Sequence, residues 1–159
     1  MIKEKLNQLL EWMVVFLLSI MLLSVLWGVV SRYIFANQSS WTDELARFML
    51  IWVSILGAAY ISGKNEHIAI DLLPQSLSIR TKLKLEILCA IIISVFVFVV
   101  FLIGGSRYVY ISFKLGQASA ALFLPMGYVY LVMPIAGVIV IYYKIFDAIH
   151  ANRKLKLIE

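Results

Sequence analysis

Charged residues and cysteines are scarce in this chain, and their scarcity excludes several classes of protein. Only 14% of the 159 residues are charged, whereas 63% are hydrophobic, and the mean hydropathy is +0.96. Soluble domains are only about 45–50% apolar, so this composition predicts an integral membrane protein. The single cysteine, Cys89, excludes a disulfide, a zinc site or a thiol pair built from cysteines of one chain.

Catalytic and ligand-binding motifs are also missing. The sequence contains no nucleophile motif, no phosphate-binding loop and no spacing typical of metal ligands. The two histidines, His67 and His150, lie near helix ends and do not face each other as haem ligands would. We therefore expect no enzymatic activity and no catalytic, cofactor or metal site.

The chain carries a net positive charge, but the distribution of its basic residues does not indicate nucleic-acid binding. The net charge is +5, and the lysines and arginines are scattered around helix ends instead of forming one basic face. Such residues are typical of the membrane surface, where they contact lipid headgroups. The expected partners thus include membrane lipids and exclude nucleic acid.

Four apolar runs approach the about 20 residues that a helix needs to cross a bilayer. They predict an all-α integral membrane protein with four transmembrane helices in a single domain, residues 1–159. Amphipathic interfacial segments are expected at the amino terminus and before the third helix, where Pro74 indicates a helix start. A signal peptide is the competing interpretation of the first run, which is too long for one and lacks a cleavage site. The predicted spans are residues 12–33, 41–61, 86–106 and 125–146, with a polar tail at 147–159.

The ends of these runs carry local signals. Ser40 with Asp43 fits a capping box and predicts that the second helix begins near Trp41, antiparallel to the first. Pro125 suits the first residue of the fourth helix, and Pro134 predicts a kink within it. For the small-residue connection 114–124, a short interfacial helix is one option.

Residues at the span ends predict depth and orientation. Ten of the fourteen lysines and arginines lie at the amino terminus, in the second connection or in the tail. The positive-inside rule therefore predicts that both termini are cytoplasmic. The expected membrane-interface anchors are Trp12, Arg32, Tyr33 and Arg107.

A polar cluster opens the second helix. Arg47 follows Asp43 by four residues and Glu44 by three, a spacing that allows ion pairs on one helix face. The cluster is either a helix cap with an internal ion pair or a contact for a partner subunit, and both can hold together. The candidate residues for a partner interface or helix-end cluster are Trp41, Asp43, Glu44, Arg47, Trp52, His67 and Asp71.

No charged residue or histidine falls in the middle of any span. Transporters that move ions or protons by themselves usually keep such a residue there, so the chain alone is a poor transporter candidate. Two alternatives stay open at this point: a subunit of a membrane-bound enzyme or cofactor complex, and a small homodimeric transporter.

The ordered set of features resembles a known family, the small DctQ-type membrane subunit of tripartite ATP-independent periplasmic (TRAP) transporters. The resemblance covers nearly the whole chain, although Asp43 stands where that family leads us to expect glutamate. It depends on Arg32-Tyr33, the segment WTDELAR from Trp41 to Arg47, Trp52, Gly57-Ala-Ala, the segment HIAID from His67 to Asp71, Pro125 and Pro134.

The resemblance implies a subunit of a complex in the bacterial inner (cytoplasmic) membrane. In such a complex, a periplasmic substrate-binding protein delivers a carboxylate solute, such as a C4-dicarboxylate or sialic acid. A large permease subunit then moves the solute with a sodium gradient. This chain would be the scaffold that braces the large permease and would not carry the solute itself.

Overall fold

The structure, a computed structural model, describes residues 2–37, 39–64 and 78–158. Helix α1 spans Ile2–Tyr33, α2 spans Ser40–Lys64 and α3 spans Ile79–Lys114. Helix α4 comprises Met126–Tyr130 and Val132–Ile158, which a turn at Leu131 separates. All four are long and apolar enough to cross a membrane. The described residues form no strand beyond one isolated bridge, which confirms the predicted all-α fold with four spans.

The helices pack as two antiparallel hairpins that meet through α2 and α4. Helix α1 packs along α2, α2 packs against α4, and α4 packs along α3. The two ends of the bundle are called the Trp41 end, which includes loop 115–125, and the Lys3 end, which includes Lys64 and Asp147. The core lies where α1, α2 and α4 meet and consists of Leu10, Leu56, Ala59, Val132, Ala136 and Tyr143.

Large apolar side chains cover the outer faces of the two flanking helices. Phe16 and Leu23 of α1 and Ile92 and Phe96 of α3 are all more than half exposed. Soluble monomers rarely expose apolar patches of this extent, because each Å² costs about 25 cal/mol in water. In a bilayer this cost vanishes, and helices satisfy their own backbone polar groups.

Both ends of the chain belong to long helices. Residues 2–11 of the amphipathic segment form the first turns of α1, where Leu10 is buried in the core. Helix α4 continues to Ile158, and Asp147 and Ala151 are only 6% and 2% exposed. The segment predicted as a polar tail, 147–159, is thus helical as far as Ile158, and its first residue, Asp147, is buried beside Lys3 of α1.

Helix α3 is less regular than its sequence suggests. Ser78 caps its start by accepting the N–H of Thr81 at 3.3 Å. A π-helical segment, Phe98–Gly104, interrupts the α-helix in its middle. The predicted helix start at Pro74 lies outside the described residues.

Pro125 and Pro134 lie close to the observed start of α4 and to the turn within it. Pro125 is the cap residue and the helix begins at Met126, one residue later than predicted. The break at Leu131, three residues before Pro134, is local: Leu131 still donates its N–H to Gly127 and accepts that of Ile135. The bond that α4 lacks is the one to the Tyr130 carbonyl, because Pro134 has no N–H and its ring crowds that carbonyl. Residues 115–125 form turns and one bridge, so the interfacial-helix option is wrong.

Candidate functional site

A chain of hydroxyl groups joins α1 to the start of α2. The Ser39 hydroxyl lies 3.1 Å from that of Ser31 and 2.7 Å from that of Thr42, and Thr42 is buried. A Cβ on Gly28 would lie only 3.1 Å from the Thr42 hydroxyl, so glycine allows the close approach. Helix α2 begins at Ser40, and Ser39 and Thr42 make these contacts where the sequence indicated Ser40 and Asp43.

Glu44, one turn into α2, binds the distant loop between α3 and α4. Its Oε1 accepts the backbone N–H of Ala120 at 3.0 Å. Its Oε2 accepts the N–H groups of Ala121 and Leu122 at 2.9 and 2.8 Å. Three successive N–H groups that converge on one carboxylate form an anion-binding concavity. Such charge-assisted bonds are about twice as strong as neutral ones, so Glu44 fixes this loop to α2.

The loop has internal bonds that present these three N–H groups. Ser119 donates its N–H to the Leu124 carbonyl at 2.9 Å, and its hydroxyl accepts the Leu124 N–H at 3.1 Å. Ala118 and Pro125 form the antiparallel bridge that closes the turn. At its tip Phe123 has a φ of 54° and a side chain that is 79% exposed. The loop is a small hairpin that displays an aromatic ring at the Trp41 end.

The ion pair expected between Glu44 and Arg47 does not form. Both oxygens of Glu44 face the loop, while the Arg47 side chain is exposed and pairs with no carboxylate of residues 2–37, 39–64 or 78–158. The ion-pair interpretation is thus wrong for Glu44. Its role depends on N–H groups in a segment of small residues that gave no sequence signal.

Asp43 lies at a different site from Glu44. With Arg32 and Tyr33 it lines a groove of about 210 Å³ between α1 and α2. The groove therefore carries groups of both charge signs at the Trp41 end. Trp41 lines a second, open groove with Trp27 and Phe35, whose rings are 6.4 Å apart. Aromatic side chains with polar neighbours are typical of the membrane–water interface.

Trp52 joins α2 to α4 in the interior. Its indole N–H donates to the carbonyl of Val129 at 3.0 Å, just before the break at Leu131. This bond and the Glu44 bonds attach the same part of the α3–α4 hairpin to α2. Glu44 and Trp52 thus both attach the α3–α4 hairpin to α2. His67 and Asp71 lie outside the described residues.

The predicted interface anchors are all exposed. Trp12 is 75% exposed near the Lys3 end of α1, and Arg32 and Tyr33 are exposed at its other end. Arg107 is exposed on α3 about two turns before Lys114. These positions are those from which arginine and aromatic side chains reach headgroups.

A second polar cluster, which the sequence analysis did not identify, occupies the Lys3 end. Asp147 is buried and its carboxylate lies 3.3 Å from both Lys3 and Lys144. Nearby, the Tyr143 hydroxyl donates to the side-chain oxygen of Asn7. The spacing of Lys144 and Asp147 was visible in the sequence, but the contact with Lys3 spans 144 positions. The cluster fastens the start of α1 to α4.

Neither cluster has the composition of a metal centre. Among the described residues, no group of three or more His, Cys, Asp or Glu side chains could hold a metal ion. The contacts at both ends join helices and loops to one another. This arrangement is that of a structural bundle with charged ends.

Comparisons with known proteins agree with this architecture. A TRAP transporter small permease assigned in Haemophilus influenzae is 29% identical over 136 residues, which cover 84% of this chain and 81% of that protein. The sialic acid TRAP transporter small permease protein SiaQ of Vibrio cholerae is 27% identical over 60% of this chain and 56% of its own length. The C4-dicarboxylate small permease protein DctQ of the same organism is 29% identical over 62% and 42%.

A family model also matches most of the chain. The model described as tripartite ATP-independent periplasmic transporters, DctQ component, matches residues 21–153. The matched region contains residues 21–33 of α1, the whole of α2, α3 and the α3–α4 loop, and α4 up to residue 153. It also contains Glu44, Trp52 and Asp147, which make the interhelical contacts described above. The chain therefore belongs to the DctQ family of TRAP transporter small permease subunits, multi-pass proteins of the inner membrane.

Proposed function

We propose that this chain braces the large permease subunit of a sodium-coupled TRAP importer and does not itself carry the solute. A periplasmic binding protein would deliver the solute to the large permease. The solute is a carboxylate, a class supported by the sialic acid and C4-dicarboxylate names of two relatives. Sodium coupling and substrate translocation would then both belong to the large subunit.

The observation that carries this proposal is the absence of charge from the middle of every span. Residues 13–31, 48–63, 87–106 and 126–143 contain no Asp, Glu, Lys, Arg or His. Translocation of sodium and a carboxylate needs polar or charged groups at this depth. A bundle without charge at this depth can instead provide an apolar surface against a moving partner.

The shape of the bundle also supports a bracing role. The outer faces of α1 and α3 expose large apolar side chains, which suit contact with lipid and with helices of a partner. At the Trp41 end, the exposed Arg47 would set the register of that contact. In the proposed orientation both termini are cytoplasmic and the Trp41 end faces the periplasm, since ten of fourteen basic residues then lie inside.

The test is reconstitution of the transporter from separate parts. Proteoliposomes would contain this chain alone, the large permease alone or both, each with the binding protein and radiolabelled sialic acid or succinate outside. We expect uptake only when both membrane subunits are present and an inward sodium gradient is imposed. A potassium gradient of equal size serves as the control for the coupling ion.

Two results would overturn the proposal in different ways. Uptake by this chain alone would indicate a self-sufficient transporter. Full uptake by the large permease without this chain would refute the bracing role. If uptake persists with potassium in place of sodium, the assignment of the coupling ion is wrong while the role of the subunit stands.

A further inference from the structure

Two backbone irregularities face each other in the α3–α4 hairpin. The π-helical segment Phe98–Gly104 lies in the middle of α3, and the turn at Leu131 interrupts α4 three residues before Pro134. Helix α4 lacks the bond from residue 134 to the Tyr130 carbonyl, because Pro134 has no N–H, although Leu131 keeps its own helical bonds to Gly127 and Ile135. Both π-helical segments and prolines are usual sites of helix bending.

Close glycine contacts show that the irregularities lie at one level. A Cβ on Gly105 would lie 2.9 Å from the Cβ of Met133 and 3.4 Å from the Cδ of Pro134. A Cβ on Gly137 would lie 3.0 Å from the Cβ of Phe101. The π-helical segment therefore packs directly on the break in α4, so that both helices can bend at the same depth.

The part of the hairpin beyond this level, residues 105–130, is called the hairpin head. Four hydrogen bonds attach it to α2: three from the loop to the Glu44 carboxylate and one from Trp52 to the Val129 carbonyl. The rest of α3 and α4 packs below the hinge level, where Val132, Ala136 and Tyr143 join the core.

We propose that the hairpin head tilts as a unit about this level, and that Glu44 and Trp52 hold it against α2. The two irregular segments are the hinge, and the four hydrogen bonds are the latch. This tilting motion gives the Trp41 end of the subunit a second conformation, in which the 115–125 loop has moved away from the start of α2. Breaking the latch should favour the second conformation, and stiffening the hinge should oppose it.

Distances between spin labels can test this in the full chain in lipid nanodiscs. On a Cys89→Ser background, one label pair replaces the exposed residues Leu26 on α1 and Tyr110 on α3, above the hinge. A control pair replaces the exposed residues Leu9 and Leu88, below the hinge on the same helices. Tyr110 lies about 14 Å beyond the hinge centre, so a kink change of about 20° moves it by about 5 Å.

The expected results compare single variants with double variants. Glu44→Gln should add a second population, shifted by about 5 Å, to the upper pair and leave the lower pair unchanged. Adding Pro134→Ala, which restores an N–H to α4, should remove that population. Ile135→Ala, one residue along and exposed, should not remove it. Trp52→Phe should act like Glu44→Gln and provides a second way to open the latch.

Three outcomes would overturn the inference. If neither Glu44→Gln nor Trp52→Phe changes the upper pair, there is no latch. If the upper and lower pairs change together, the whole bundle has loosened and no hinge exists. If Pro134→Ala leaves the second population in place, the motion does not use the break in α4. None of these outcomes bears on whether the subunit braces a permease.

Discussion

The Glu44 carboxylate of α2 accepts the backbone N–H of Leu122 at 2.8 Å, although 78 positions separate the two residues. With the bonds to Ala120 and Ala121, this contact joins the first hairpin to the loop of the second. The Trp41 end of the bundle is held together by one carboxylate and three peptide groups.

Glu44→Gln should lower the free energy of unfolding by about 1–3 kcal/mol, because the amide keeps one acceptor and turns an N–H₂ group toward N–H donors. Thermal unfolding in detergent measures this loss, and amide exchange at Ala120, Ala121 and Leu122 should accelerate. Glu11→Gln is the matched control, since the exposed Glu11 accepts the Tyr60 hydroxyl. Equal melting temperatures for the two variants would contradict the role of Glu44.

Gly63→Ala and Gly57→Ala, both on α2, should have opposite effects. A Cβ at position 63 would lie 2.6 Å from the Asn7 oxygen and 2.7 Å from the Tyr143 ring, whereas one at position 57 meets nothing within 4 Å. Overpacking at Gly63 should cost about 1–3 kcal/mol. Gly57→Ala should be neutral or stabilise by up to about 1 kcal/mol. The difference in melting temperature between the two variants tests the packing of α2 on α1 and α4.

Asp147→Asn should destabilise the Lys3 end strongly. Asp147 is 6% exposed between Lys3 and Lys144, so its replacement removes the carboxylate that both poorly solvated ammonium groups share, at a cost of about 3 kcal/mol. Denaturation of the purified variant measures this cost. Adding Lys3→Met should recover part of it, because one of the two charges is then removed. If the double variant is less stable than Asp147→Asn, the two residues are not coupled as the geometry indicates.

Arg47→Ala should weaken assembly with the large permease and leave the stability of the isolated chain nearly unchanged. The reason is that the Arg47 side chain is exposed and Glu44 binds the loop instead. Co-purification with a tagged permease and solute uptake are the two measurements. Lys156→Ala, in the exposed last turn of α4, is the control. Wild-type complex yield and uptake for Arg47→Ala would exclude Arg47 from the partner contact.

Cysteine labelling should place the carboxyl terminus in the cytoplasm. On a Cys89→Ser background, a cysteine at the exposed position of Asn152 should react with a membrane-impermeant maleimide only after the inner membrane is opened. A cysteine at the exposed Phe123 should react in cells whose inner membrane is intact. The reverse pattern would invert the proposed orientation.

Local chemistry was readable from the sequence. The apolar runs predicted four spans because a bilayer selects for length and hydrophobicity, both of which are properties of consecutive residues. Pro134 predicted the break in α4 because a missing N–H acts on its own turn wherever the helix packs. The family followed from an ordered set of such features along the chain.

Partners across the bundle were decided only by the tertiary structure. Arg47 lies one turn from Glu44 and was its expected partner. The Glu44 carboxylate instead accepts three peptide N–H groups, because folding brings loop 115–125 to the start of α2. The sequence predicted Asp147 as the first residue of a polar tail, whereas in the folded bundle it is buried beside Lys3 of α1. The π-helical segment of α3 coincides with the break in α4. These pairings depend on which helix faces meet, a property of the closed bundle and not of any one segment.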